Sequence, residues 1–363
     1  MNKNNNIRPS AEIRFAEELK ALADNDTQER PPGWKLSPKA VIHYLLGGPL
    51  NDQITIEPKY LGNKKVLELC IATLLTDRGL LLMGLPGTAK SWLSEHLAAA
   101  ISGTSSSLIQ GTVGLDENQL KYHWNYAELL QKGPSSEALV KSPIIRAMEG
   151  GYITRVEELT RMPTEIQDIL ITVLSEKMMS IPELNQEVYA VKGFNIIATA
   201  NDRDKGVHDL SAALRRRFNM VYLSMPETLQ EEIDIIHFRL GQIQKDLGLD
   251  KYKLPLQHLS DLVTIFRELR TGLTEDKKNK IKSPGSSLST AEVLSVLQTG
   301  IQHSIYFGNG LMEPGDIATS IHSTVVKDKN QDQAAWNEYV ESIIKSRKGW
   351  NQWYDAFHEI SQT

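Results

Sequence analysis

One stretch of the chain carries the residue types that bind phosphate groups. An apolar run at residues 80–83 leads into a turn with glycine and proline, and a helical pattern follows it. This order is typical of a P-loop, in which backbone N–H groups and the positive end of the helix surround a triphosphate. The candidate phosphate-binding residues are Gly84, Pro86, Gly87, Thr88, Ala89, Lys90 and Ser91.

Two of these side chains would have specific tasks. Lys90 would reach the β- and γ-phosphates, and the hydroxyl of Ser91 would ligate Mg²⁺. Ala89 stands where a second glycine is usual. The helix of the P-loop is predicted to begin near Thr88. The alternative interpretation is a Gly/Pro turn followed by an ordinary helix.

Two adjacent acids end a second strand-like run, at residues 152–158. Nucleotide hydrolysis needs one carboxylate to support the metal and another to activate water. Glu157 would support Mg²⁺ through water, and Glu158 would orient or deprotonate the attacking water. Aspartate is usual at the first position, and the side chain of Glu157 is one methylene longer. Arg155 is unusual inside such a strand. The alternative is a solvated acidic strand end.

Two further elements follow in the order that an ATPase site needs. An apolar strand at residues 193–201 ends in Asn201, which could hydrogen-bond the attacking water or the γ-phosphate, or could simply be a turn residue. Three arginines then precede Phe218, and burying them without partners would be costly. One or more could reach the γ-phosphate of a neighbouring subunit, since a guanidinium stabilises phosphoryl charge. A solvated basic helix end is the alternative, above all for Arg215.

Composition excludes several classes. The 363 residues include a single cysteine, Cys70, so an intramolecular disulfide is impossible, and its apolar surroundings predict a buried side chain. The N-terminus is polar, unlike a signal peptide, and we find no bilayer-spanning stretch. These features predict a cytoplasmic protein without a membrane partner. The net charge of −5 gives no electrostatic case for nucleic acid as the principal ligand.

The apolar patterns predict three parts of the chain. Residues 1–35 hold an amphipathic helix at about 10–25 and a polar connection. In residues 36–225, a helix capped by Ser37 precedes alternating strands and helices, which predict an α/β fold with a parallel sheet covered on both faces. A long segment at 110–148 and a hairpin at 177–193 interrupt this alternation. Residues 226–363 are helical in pattern, and their tail, with Trp336, Trp350 and Trp353, is predicted to pack as a helical end.

Together these motifs resemble those of AAA+ ATPases of the MoxR family. Residues 84–91 are similar to the MoxR form, in which Pro-Gly-x-Ala-Lys-Ser/Thr is usual, so Ala89 fits the family. Residues 157–163 are similar to its Asp-Glu-Ile-Asn-Arg-Ala-Pro stretch. Asn201 falls on the sensor-1 position, and Arg217 falls on the arginine-finger position, with Arg216 as the alternative. The resemblance covers residues 36–225. The sequences of residues 87–97, 155–177 and 198–218 are most similar to the YehL-like branch.

The resemblance implies a fold, cofactors and partners. The fold would be a P-loop AAA+ αβα core with a helix-2 insert and a pre-sensor-1 hairpin, followed by an α-helical lid. ATP and Mg²⁺ would be the cofactors of an ATPase that forms a homo-oligomer, as a hexameric ring. It would remodel a protein client in a chaperone-like role, typically a von Willebrand factor A protein with a metal-dependent adhesion site. The chain has Ser283-Pro284-Gly285 where MoxR proteins have a sensor-2 arginine. Either Lys282 substitutes for it, or the lid senses nucleotide less directly.

Three other functions compete with this one. A nucleotide-gated scaffold with negligible hydrolysis fits Glu157 and the missing arginine, whereas Glu158, Asn201 and Arg217 oppose it. A DNA-acting AAA+ motor would share the hairpin, but the tip of that hairpin, at residues 182–185, is acidic and phosphate contacts need Lys or Arg. A small-molecule kinase ranks last, because it has no use for a sensor and a trans-acting arginine.

Overall fold

The structure is a computed structural model, and it describes residues 7–202, 208–249, 256–285 and 288–361. The described residues belong to two units. The first is drawn from Met1–Leu85 and Ala89–Leu223, and the second from Pro86–Thr88 and Ser224–Thr363. Each unit is described by itself below.

A five-stranded parallel sheet forms the centre of the first unit. Its strands are β3 (Gly79–Gly84), β4 (Leu108–Gln110), β7 (Ile153–Glu157), β10 (Asn195–Asn201) and β11 (Phe218–Tyr222), and their spatial order is β11-β3-β10-β7-β4. The strand β3 is apolar throughout, as expected for a strand covered on both faces, whereas β7 carries Thr154, Arg155 and Glu157. Three antiparallel pairs lie outside this sheet: β1 (Gly48–Pro49) with β2 (Thr55–Ile56), β5 (Tyr122–Trp124) with β6 (Leu139–Lys141), and β8 (Met178–Ile181) with β9 (Gln186–Tyr189).

Helices cover both faces of the sheet, because successive side chains of a strand point to opposite faces. Leu80 and Leu82 of β3 join a core with the helices on one face, and Leu81 joins the core on the other. The first face is covered by α3 (Pro38–Leu46), α4 (Lys64–Leu74) and α5 (Lys90–Ser102), and the second by α8 (Pro143–Gly150), α9 (Thr164–Ser175) and α10 (Ala212–Arg215). Cys70 is fully buried on α4, as predicted, and burial raises its pKa to about 12.

Both predicted interruptions are present. The long segment contains α6 (Glu117–Leu120), α7 (Tyr126–Lys132) and the β5–β6 pair. The predicted hairpin is β8–β9, and its turn is a short 3-10 helix at Pro182–Leu184 that ends at Asn185, which has a φ of 50°. These elements confirm the predicted core fold.

The N-terminal segment differs from the prediction of a single helix at 10–25. It forms two helices, α1 (Ala11–Arg14) and α2 (Ala16–Asn25). The helical conformation is interrupted at Phe15, which has φ −110° and ψ 29°. The Phe15 ring is buried against the rings of Tyr44 and His96, and the Lys59 ammonium lies 4.1 Å from its centre. Burying this ring outweighs helix continuity, so tertiary packing overrides the local pattern.

The second unit is helical, as predicted. Its helices are α11 (Leu229–Asp246), α12 (Leu256–Thr271), α13 (Thr290–Tyr306), α14 (Pro314–Val325), α15 (Asp332–Tyr339) and α16 (Asn351–Ser361), with a π-helical turn at Val340–Ile344. Trp336, Trp350 and Trp353 are buried in its core, which confirms the predicted packing of the tail. In the described part of the chain, no helix combines the length and apolarity that crossing a bilayer requires.

Candidate nucleotide site

The strand order brings the predicted site residues to one edge of the sheet. The strand β10 lies between β3, which leads into the P-loop, and β7, which ends in the acids. Asn201 is in register with Gly84 across the β10–β3 pair. Since parallel strands present their carboxyl ends at the same edge, Asn201 lies between the P-loop and the acid pair.

The loop after β3 has the backbone of an anion-binding turn. Gly87 has a φ of 81° and Ala89 has a φ of 62°, so the left-handed conformation at Ala89 explains why glycine is common at this position. The helix α5 begins at Lys90, two residues later than predicted. The ammonium of Lys90 donates to the carbonyl oxygens of Gly84 at 3.0 Å and Leu85 at 2.8 Å, so it is held beside the loop.

Glu157 lies at the centre of a buried polar cluster, with 4% of its surface exposed. Its Oε2 accepts hydrogen bonds from Ser91 Oγ at 2.6 Å and from Thr199 Oγ1 at 2.7 Å. Its Oε1 lies 2.6 Å from Ser94 Oγ and 2.9 Å from Arg155 Nη2. The carboxylate therefore joins the P-loop helix α5, its own strand β7 and the strand β10 that ends in Asn201.

The charge of Glu157 is stabilised by these contacts. Burial by itself would raise the pKa of Glu157, but the hydroxyls of Ser91, Ser94 and Thr199 and the charge of Arg155 together hold it below the usual value. Arg155 is the unusual strand residue noted above. It faces α5 because it is two residues from Glu157 along β7, and its ion pair with Glu157 is buried.

The second acid, Glu158, has a different environment. Its backbone is left-handed, with φ 54° and ψ 48°, and its N–H donates to Thr199 Oγ1 at 3.1 Å. Its carboxylate is partly exposed and accepts from Arg161 Nη1 at 2.9 Å. Gly111, which follows β4, permits a close approach to the backbone of the two acids. Its N–H donates to Glu157 O at 2.7 Å, and a Cβ at residue 111 would lie 2.2 Å from Glu158 O.

The two candidate arginines are held differently. The Arg217 side chain is half-buried and donates from Nε to Ser175 Oγ at 2.8 Å and from Nη1 to Ala213 O at 2.9 Å. Arg216 is exposed, and among the described residues its side chain makes no hydrogen bond or ion pair. Arg216 is therefore the one whose guanidinium is available to a ligand outside this chain.

Comparison with known proteins decides the family. Residues 79–218 match the AAA domain of the dynein-related subfamily, and residues 241–361 match the YehL-like AAA+ ATPase C-terminal domain. The uncharacterized protein YehL of Escherichia coli (strain K12) is 40% identical over 364 residues, which cover 99% of each chain. The chain belongs to the YehL-like AAA+ ATPases.

Two other similarities are more distant. The uncharacterized protein SH1500 of Staphylococcus haemolyticus (strain JCSC1435) is 27% identical over 225 residues, or 61% of this chain and 79% of the relative. The crystal structure of NtrX from Brucella abortus in complex with ATP covers 84% of this chain and 68% of its own, with a TM-score of 0.48 and 14% identity.

In this YehL-like chain, Gly285 lies where the resemblance noted above would place an arginine. Its N–H donates to Asp332 Oδ1 at 2.8 Å within the second unit. Asp332 also accepts from the N–H groups of Lys327 and Asp328. Lys282 is exposed. The Ser283-Pro284-Gly285 segment is thus anchored by a backbone contact that needs no side chain at residue 285.

Sequence reasoning missed three residues of this YehL-like site: Ser94, Thr199 and Gly111. Ser94 follows Ser91 by three residues and so lies on the same face of α5, a signal that helical spacing could have provided. Thr199 is the residue of β10 beside Glu157 of β7, as the Ala198–Val156 register requires. Neither that register nor the approach of Gly111 can be read from one sequence, because both depend on strand order.

Proposed function

We propose that this AAA+ protein hydrolyses ATP with Mg²⁺ at the cluster around Glu157. The observation that carries the proposal is that one carboxylate oxygen of Glu157 accepts from both Ser91 and Thr199. Through these hydrogen bonds, Glu157 connects the helix that follows the P-loop with the strand β10. Phosphoryl transfer requires residues of these elements to lie close together.

The residues present fit a magnesium ion. Ser91 donates its hydroxyl proton to Glu157, so the lone pairs of its oxygen remain for a metal. Ser91 would hold Mg²⁺ directly and Glu157 through water, which suits a hard cation that prefers oxygen ligands and keeps several waters. A bound Mg²⁺ would neutralise part of the negative charge of the phosphates.

The chain's own residues supply the remaining steps. Lys90 would leave the carbonyl groups of Gly84 and Leu85 to bind the β- and γ-phosphates. Glu158 would orient the attacking water and accept its proton, and Asn201 would hydrogen-bond that water or the γ-phosphate. For Glu158 to act, its carboxylate must turn from Arg161, and their partly exposed ion pair costs little to break.

A neighbouring copy would complete the site. We propose that the chain forms a homo-oligomer, as a hexameric ring, in which an arginine of one subunit reaches the γ-phosphate of the next. Arg216, whose guanidinium has no partner among the described residues, is favoured over Arg217, which would first have to break its bonds to Ser175 and Ala213.

We also propose a remodelling role on a protein client in the cytoplasm, with a von Willebrand factor A protein as the candidate. Support comes from a cleft of about 430 Å³ between the insert and the hairpin, lined by residues that include Tyr122, Trp124, Met178 and Glu183. The Tyr122 hydroxyl donates to Glu183 at 2.6 Å and so links the two elements. The charged residues of its lining are Glu117, Lys121 and Glu183, so the cleft offers no basic surface for a nucleic-acid backbone.

Steady-state phosphate release tests the hydrolysis step. Glu158→Gln should reduce release at least about 100-fold while ATP binding persists, because removing a general base typically costs about 10²–10⁴-fold. The matched control is Glu165→Gln, an exposed acid at the start of α9. Equal, near-zero rates in the wild type and Glu158→Gln would favour the nucleotide-gated scaffold instead, and strong stimulation by nucleic acid at physiological salt would favour a DNA motor.

A pull-down tests the client. Glu158→Gln, loaded with ATP, should retain a purified von Willebrand factor A protein more strongly than Lys90→Ala, which should not bind ATP. Equal retention by the two variants would contradict nucleotide-dependent client binding.

A further inference from the structure

The guanidinium of Arg155 occupies an unusual position for a cation. It lies on strand β7, between β10 and the edge strand β4, with 6% of the residue exposed, and faces the helix that follows the P-loop. Its Nε donates to Ser94 Oγ at 3.0 Å, and its Nη2 donates to Glu157 Oε1 at 2.9 Å and to Ser91 O at 3.2 Å. Nη1 reaches Ser105 O at 3.4 Å. Every one of these contacts lies within the first unit.

The two carboxylate oxygens of Glu157 have different partners. Oε1 receives Arg155, and Oε2 receives the Ser91 hydroxyl that would ligate the metal. The glutamate side chain is one methylene longer than the usual aspartate. It therefore contacts the P-loop serine with one oxygen and a buried cation with the other.

We propose that Arg155 is a positioning residue that sets the magnesium requirement of this site, by balancing the charge of Glu157 when no metal is present. This inference rests on the proposed function. The buried pair brings no net charge to the metal position, whereas an unpaired carboxylate would bring a full negative charge. Arg155 thus keeps Glu157 aligned on Ser91 without metal and weakens the attraction of the site for Mg²⁺.

A charge-balancing role of Arg155 can be distinguished from a purely structural role. In Arg155→Gln, the carboxylate of Glu157 loses its buried counter-charge, which lowers stability without metal. Magnesium then supplies the missing positive charge, so it should bind more tightly than in the wild type. We expect the Mg²⁺ concentration that gives half of the maximal shift in the unfolding midpoint to fall about tenfold. This is the scale on which one nearby charge changes the binding of an ion at a partly buried site. A residue that only anchors β7 would change stability and leave that concentration unchanged.

Thermal unfolding of the full chain provides the measurement. The unfolding midpoint is followed with a non-hydrolysable ATP analogue in EDTA and then across buffered Mg²⁺ concentrations, for the wild type, Arg155→Gln and Arg155→Lys. Lys141→Gln is the control, since it breaks an exposed ion pair with Glu149. Arg155→Lys keeps the charge but loses the several donors of the guanidinium, so its half-maximal Mg²⁺ concentration should stay closer to that of the wild type than that of Arg155→Gln does.

Further variants keep the inference falsifiable if Arg155→Gln does not fold. The double variant Arg155→Gln/Glu157→Gln removes both charges, and charge balance predicts that it is more stable than Arg155→Gln in EDTA. A double variant no more stable than the single one, or an unchanged half-maximal Mg²⁺ in a folded Arg155→Gln, would overturn the inference. If the wild type itself shows no shift with analogue and Mg²⁺, the proposed function fails, which is a different result.

Discussion

At the scale of single residues, Thr199 connects the two acids of the site. Its hydroxyl donates to Glu157 Oε2 and accepts from the N–H of Glu158, so one side chain fixes both the metal-supporting carboxylate and the backbone of the proposed base. The residue types of the P-loop and the acid pair could be predicted from the sequence, because each belongs to a local motif. The roles of Thr199 and Arg155 could not, since they arise only when separate strands are adjacent.

Replacing Thr199 by valine keeps the shape of the side chain and removes both hydrogen bonds. Because the carboxylate of Glu157 is buried and the N–H of Glu158 is partly buried, we expect a loss of about 1–3 kcal/mol in the free energy of unfolding. Phosphate release should slow while ATP binding persists. Urea denaturation and a release assay measure the two effects.

Thr199→Ser is the matched control, as it retains the hydroxyl at the same position. It should recover most of the stability and the rate. A valine variant with wild-type release would show that Thr199 does not position the acids.

At the scale of elements, the order of the five strands determines the site. The alternation of strands and helices was predictable, since apolar runs and turn residues mark each element, and so was the hairpin. The helix break at Phe15 was not, because the local pattern continues through it and only the buried ring contacts interrupt it. The approach of Gly111 to Glu158 depends likewise on β4 lying beside β7.

Gly111→Ala tests the importance of this approach. The new Cβ would lie 2.2 Å from Glu158 O and 2.9 Å from Glu157 O, so the backbone carrying both acids must move. We expect a loss of about 1–3 kcal/mol in stability, as for other overpacked sites, together with reduced phosphate release.

Gly114→Ala is a close control for that change, because a Cβ there would have no neighbour within 4 Å. It should match the wild type in urea midpoint and in rate. If Gly111→Ala behaved the same way, the β4–β7 approach would have no part in placing the acids.

At the scale of the whole molecule, the proposed ring makes a prediction about mixtures. Lys90→Ala should lack ATP binding, and Arg216→Ala should lack the arginine that acts on a neighbour. Each variant alone should be inactive, but a mixture should regain part of the activity, since a wild-type P-loop can then lie beside a wild-type Arg216.

Phosphate release at several mixing ratios provides the measurement, with Arg215→Ala in place of Arg216→Ala as a control that should be active alone. An active Arg216→Ala with an inactive Arg217→Ala would assign the role to Arg217. The absence of recovery in any mixture would contradict a shared site.

Acid should weaken the second unit through Asp332. Hydrogen bonds from the N–H groups of Asp328, Gly285 and Lys327 hold the pKa of this carboxyl below its usual value of 3.8, although burial opposes them. A lowered folded-state pKa gives stability that is present above the unfolded-state pKa and lost as the pH falls through the folded-state value. Asp332→Asn should therefore cost about 2 kcal/mol at pH 7.

That difference should be the same at pH 7 and pH 5, both above the usual value of 3.8, and should shrink as the pH falls through the lowered folded-state pKa of Asp332, where the wild-type carboxyl also becomes neutral. Urea midpoints of the wild type and Asp332→Asn at pH 7, at pH 5 and across a series of values below 3.8 test it. A difference that stays constant throughout the acid series would show that the loss does not come from the charge.

The buried pair of Arg155 and Glu157 also constrains how this sequence can vary. Exchanging either residue alone leaves the other as an unpaired buried charge, whereas exchanging both at once leaves none. Substitutions at the two positions should therefore occur together during divergence. A mutant library that randomises them singly should recover few functional clones, and one that randomises them jointly should recover combinations that neither single library contains.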